Sequence, residues 1–108
     1  MQFLVYLRDA TDPQAPERRA ATRPLHLARA EEFQHRGCLI MGGALLDAAG
    51  NAVGSAAFVQ FESREELDDW FNTDPYRINN VWASMEVHDF RIAPHYDVKP
   101  LLKKETTR

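Results

Sequence analysis

The segment LIMGGALLDAAGNAVGSAAFVQF, residues 39–61, contains two apolar runs around a cluster of Asp, Gly and Asn. Leu39 to Leu46 and Ser55 to Phe61 read as strands, and Asp47 to Asn51 supplies the turn chemistry between them. The pair is therefore expected to form a hairpin with a longish loop.

On its N-terminal side, Glu17 to Arg36 has helical periodicity that Pro24 interrupts. Proline inside a helix costs about 3 kcal/mol, whereas the first helical position tolerates it. The firm helix is thus expected to begin near Pro24, with residues 15–22 irregular or a separate turn, and Gly37 to terminate it. Earlier still, Phe3 to Arg8 reads as a strand followed by the polar, proline-marked loop Asp9 to Pro16. Phe3, Val5 and Leu7 point one way and Leu4 and Tyr6 the other, so both faces are apolar and the strand should be central.

On the C-terminal side, Ser63 followed by Glu66 has the spacing of a capping box and opens a second helix. Leu67, Trp70 and Phe71 form its buried stripe, and Asp74-Pro75 ends it. After an irregular stretch from Tyr76 to Asn80, Val81 to Ile92 alternates as a last strand, with Ala83, Met85 and Val87 set against Ser84, Glu86 and His88. One domain over residues 1–98 is expected, followed by a polar tail, 99–108, that frays. The order β-α-β-β-α-β is ferredoxin-like: an α+β fold with a four-stranded antiparallel sheet and two helices on one face. Its other, apolar sheet face needs a cover, and a second copy is the simplest candidate, giving a homodimer.

With 108 residues there is room for one core. The net charge is -3 and the 13 Lys and Arg are scattered, which argues against nucleic acid as a partner. No run approaches the roughly 20 apolar residues of a membrane span, and the N-terminus lacks a charged signal region, so a cytoplasmic protein without membrane association is expected. The single cysteine, Cys38, lies in an apolar run and reads as a core residue. His35, His88 and His95 lack metal-site spacing, and the last two, without a nearby paired carboxylate, read as solvated. No nucleotide fingerprint or phosphate loop is present, so neither a metal nor a cofactor is expected.

On a helical wheel, His26, Ala30 and Phe33 share one stripe, with Glu31, Glu32 and His35 opposite, so His26 faces the sheet. Arg23 lies about 60° around and can share its pocket. A buried basic pair of this kind calls for an anion. Asp74 is the obvious protein candidate, although Asp-Pro is also a common way to end a helix. A carboxylate on one ring nitrogen of His26 would fix the tautomer and raise the basicity of the other. Gly42-Gly43 marks either a bulge or a close ligand approach. Ser55 lacks the elbow of a nucleophilic serine.

The segment Arg23-Pro24-Leu25-His26-Leu27-Ala28-Arg29-Ala30, the Gly42-Gly43 pair, Gly54-Ser55 and Asp74-Pro75-Tyr76 together resemble the YciI-like family of dimeric α+β barrel proteins over roughly residues 2–93. The resemblance implies a ferredoxin-like protomer and a pocket with a catalytic pair, His26 and Asp74. Arg23, Ser55, Gly43 and Tyr76 are the implied substrate-binding positions. One branch of that family removes chloride from chlorinated hydroxyhydroquinones without a cofactor. The polar lead from Thr11 to Thr22 departs from the family and can reshape the pocket mouth. Three readings follow: a cofactor-independent acid–base enzyme acting by elimination or isomerisation on a small anionic or phenolic substrate; a non-catalytic small-molecule-binding dimer; and a purely structural dimer.

Overall fold

A computed structural model describes residues 1–102. The elements run β1 (Gln2–Asp9), α1 (Ala15–His35), β2 (Leu39–Leu46), β3 (Ala52–Gln60), α2 (Arg64–Thr73), α3 (Pro75–Ile78) and β4 (Trp82–Asp89). The sheet order is β2-β3-β1-β4, with every neighbouring pair antiparallel. This is the expected ferredoxin-like arrangement, with β1 central.

Alternation along β1 sets the two faces. Phe3, Val5 and Leu7 are buried against Val59 of β3 and Leu67 and Trp70 of α2, whereas Leu4 and Tyr6 on the opposite face are half-buried. The hairpin turn closes as its residues dictate: Asp47 Oδ1 accepts from the backbone N–H groups of Ala49 and Asn51, both at 2.9 Å. Helix α2 starts at Ser63, whose hydroxyl accepts from the Glu66 N–H at 3.2 Å.

Helix α1 departs from expectation. It is one continuous helix from Ala15 to His35, with Pro24 inside it. Pro24 withdraws one N–H from the Ala20 carbonyl, but both residues are exposed, so water can replace that bond. Tertiary anchors hold the turns before it. Arg18 pairs with Asp12 at 2.6 Å, Arg19 with Asp9 at 2.8 Å, and buried Thr22 accepts from Asn79. At the other end the Gly37 N–H bonds the Gln34 carbonyl and the Cys38 N–H the Phe33 carbonyl, a Schellman closure with Gly37 at φ 81°.

Two further segments differ. The stretch after Asp74 is not irregular throughout: α3 is a single turn, started by the Asp74 carboxylate on the Tyr76 N–H and by Pro75 at its first position. Residues 99–102 are docked instead of frayed. The Lys99 carbonyl accepts from Gln60 Nε2, Leu102 N–H bonds the Arg36 carbonyl, and Leu101 packs on the core. The rest of the expected tail, 103–108, lies outside the described residues.

Gly37 serves this docking as well as the helix end, since a Cβ there would stand 2.4 Å from the Pro100 carbonyl oxygen. Gly37→Ala is therefore expected to destabilise the protein by about 2 kcal/mol, from left-handed backbone strain plus displacement of the C-terminal segment. A midpoint of urea unfolding unchanged from wild type would contradict this account.

Candidate functional site

Asp74 caps α3 from the end of α2, and that placement brings its carboxylate against α1. It is 1 % exposed. Its Oδ1 lies 2.9 Å from His26 Nδ1 and accepts from the Tyr76 N–H, while Oδ2 accepts from Arg29 Nη1 at 3.1 Å. Arg29 is held in turn by the Trp70 carbonyl at 3.0 Å and Thr73 Oγ1 at 2.6 Å. A buried carboxylate needs such partners, because desolvation without them costs several kcal/mol.

The imidazole of His26 is fixed on its faces and edge too. It stacks on Tyr76 at 3.9 Å with an interplanar angle of 13°, and meets Trp82 edge-on at 5.3 Å. With Nδ1 committed to Asp74, Nε2 is the nitrogen left for a ligand.

A second polar centre sits two turns earlier on α1. Arg19 binds both oxygens of Asp9 at 2.8 Å and donates to Ser55 Oγ at 3.2 Å, and its guanidinium lies 4.9 Å from the Tyr76 ring centroid. Burial pushes the Asp9 carboxyl up, against the hydrogen bond and charge of Arg19. Burial likewise pushes the Tyr76 phenol up, opposed by Arg19 and Arg23. Ser55 is buried and also accepts from Trp82 Nε1 at 3.3 Å.

His26, Asp74, Tyr76, Arg23, Ser55 and Gly43 all border one cavity of about 750 Å³ between α1 and the β2–β3 half of the sheet. All six expected site residues are thus brought together. Arg23, however, is not part of a buried basic pair: it is exposed, and among the described residues its side chain makes no hydrogen bond or ion pair. The arginine that answers Asp74 is Arg29, which lies about 60° from His26 on the wheel on the side away from Arg23. Periodicity alone could not choose between them. Arg19 escapes a helix read from Pro24 onward, yet in the full α1 it lies seven residues before His26, on the same stripe.

The glycine pair is not the bulge. Gly42 pairs with Ala57 and Gly43 with Ala56 in regular register, and the two irregularities fall on either side, at Ile40 between Leu39 and Met41 and between Leu45 and Leu46. His88 is exposed as expected, but it does have a carboxylate partner, Glu86 at 2.6 Å. Among the described residues no group of three His, Cys, Asp or Glu is placed to hold a metal, and no helix is long and apolar enough to cross a membrane.

Removing the Asp74 carboxylate strands Arg29, the Tyr76 N–H and His26 together. Asp74→Ala is expected to lower stability by about 3 kcal/mol at neutral pH, the lower end for breaking a buried pair, because His26 and Arg29 retain some access to water. A loss below about 1 kcal/mol in chemical denaturation would mean that this carboxylate organises little.

Comparison with known proteins agrees with the fold and gives the family. Protein YciI of Escherichia coli O6:H1 is 31 % identical over 97 residues, covering 84 % of this chain and 97 % of that protein. An uncharacterized protein of Haemophilus influenzae matches to the same extent. Among solved structures, 5-chloro-2-hydroxyhydroquinone dehydrochlorinase from Burkholderia phenoliruptrix AC1100, in complex with 2,5-dihydroxybenzoquinone, superposes with a TM-score of 0.76 at 25 % identity, covering 90 % of this chain and all of that one. The family model described as the YCII-related domain matches residues 1–91, and the chain belongs to that family.

Proposed function

We propose that the protein is a cofactor-independent enzyme in which His26 and Asp74 carry out acid–base chemistry on a small anionic or phenolic substrate. The observation that carries this reading is the 2.9 Å contact between His26 Nδ1 and the buried Asp74, which leaves Nε2 free beside a cavity of about 750 Å³. His26 is the base, Asp74 orients it, and Arg23 engages an anionic oxygen; Tyr76, Ser55 and Gly43 line the space around them.

Elimination of HCl from a chlorinated hydroxyhydroquinone fits such a site. His26 moves one hydroxyl proton to the chlorine-bearing carbon, giving the keto tautomer. A second hydroxyl then loses its proton, its O–H pair forms another carbonyl as the ring double bonds shift, and chloride leaves with the C–Cl bonding pair, so that HCl and a hydroxybenzoquinone result. A positioned base contributes about 10²- to 10⁴-fold to steps of this kind. The dehydrochlorinase among the similar structures supports this choice of reaction class.

The test is chloride release from 5-chloro-2-hydroxyhydroquinone. Wild type is expected to release chloride, and His26→Ala to lower the rate at least about 100-fold while circular dichroism stays unchanged. A His26→Ala protein that turns over normally removes the assignment. Wild-type binding without product would replace it with the ligand-binding reading.

The working unit in this proposal is a homodimer joined through the sheet face opposite the helices. Half-buried Leu4, Tyr6 and Phe58 lie there, and Phe90, 40 % exposed, meets the Phe58 ring at 5.0 Å. Sedimentation is expected to give a dimer for wild type and a monomer for Leu4→Glu, which puts a charge into that face. A monomeric wild type would refute the arrangement.

A further inference from the structure

We propose that the cavity takes an amphipathic acid, with its anionic head at Arg23 and His26 and an apolar chain laid along α1 in a compartment walled by Leu27, Ala30, Leu39 and Ala57. This inference rests on the acid–base reading above for the end at which the head sits, and extends it to the shape and chemistry of the whole substrate.

A cavity of about 150 Å³ already holds a benzene ring, whereas the space beside His26 measures about 750 Å³. A single-ring molecule at Nε2 therefore leaves most of the room unfilled. The cavity is also elongated. Arg19 and Gln34 both border it, so it extends about 22 Å along α1, and the part from His26 to Gln34 accounts for about 12 Å of that.

Polarity divides this length. The end before His26 is polar, with Arg19 bound to Asp9 and Arg23 without an ion pair among the described residues. Past His26, α1 presents Leu27 and Ala30, and the sheet answers with Leu39 and Ala57. Strand pairing shows which side chains of β2 face α1. Gly42 lies opposite Ala57, a core residue, and a Cβ on Gly42 would stand 3.3 Å from the Ala57 Cβ and 3.6 Å from Leu39 Cδ1. Ala44 lies opposite Ser55 and so shares that face. Leu27 borders the compartment yet is 45 % exposed, which leaves apolar surface for a chain to cover.

Charge sets the orientation of the occupant. Arg23 attracts an anionic head, whereas Glu31, which borders the apolar half, repels one. The head therefore sits at Arg23 and His26, and the chain runs past Ala30. The bond on which His26 acts then lies next to the head group, and the chain sets affinity.

The test is a calorimetric titration of the intact protein with acetate, butyrate, hexanoate and octanoate. Burial of each added CH₂ is expected to tighten binding about 3-fold, or roughly 80-fold from butyrate to octanoate. Ala30→Leu, which fills the compartment, is expected to cancel that gain. Should it not fold, Ala44→Leu, at an exposed position on the edge strand β2, makes the same comparison. In the wild-type complex, nuclear Overhauser contacts are expected from the octanoate methyl to Leu39 and from the CH₂ beside its carboxylate to His26. Equal binding of all four acids, a folded variant that keeps the full gain, or octanoate bound the other way round overturns the inference. So does a wild type that binds none of them, the result expected if a second copy fills the cleft. The chloride-release assay of His26→Ala judges the base separately: a wild type that releases chloride yet binds the four acids alike keeps the base and loses the compartment.

Discussion

The Asp74 carboxylate is the constraint on which the site depends. It is almost fully buried, and a charge in that position is tolerable only with hydrogen bonds on both oxygens. The chain meets that demand from three elements at once: His26 and Arg29 from α1, and the Tyr76 N–H from α3. A residue that ends one helix and begins the next thereby pins both to α1. The same bonds that satisfy the carboxylate set the ring orientation of His26, so helix capping and site geometry are one arrangement.

Aromatic packing supplies the stiffness around it. The His26 imidazole lies flat on Tyr76, and Trp82 touches both rings edge-on. Trp82 in turn packs against Trp70 and Phe71 of α2, so the wall of the pocket is continuous with the core. Arg19, paired with Asp9 at the end of β1, sits near Tyr76 and holds Ser55 and the first half of α1 to the sheet. The polar lead into α1 thus contributes Arg19 to the cavity wall.

Much of this was legible in the sequence for definite reasons. Alternation in Phe3–Leu7 placed β1 at the centre with Phe3, Val5 and Leu7 inward, because strand periodicity is fixed by backbone geometry. Gly37, Ser63 and the Asp47–Asn51 turn act where expected because caps and turns are local chemistry. His26 faces the sheet because the wheel is a property of the helix itself. Pro24 misled, since its local penalty is real but three tertiary anchors upstream outweigh it.

The sequence by itself determined the order of elements, the inward stripe of α1 and the kinds of residue available to a site, all of which follow from neighbours within a few positions along the chain. Only the tertiary structure decided which arginine meets Asp74, that Arg19 and Trp82 both reach Ser55, and that Arg23 stays without a partner among the described residues. Those outcomes depend on how α1 lies over the sheet and against the α2–α3 junction. Contacts such as His26 with Asp74, 48 residues apart, are set by packing distances that no local pattern encodes.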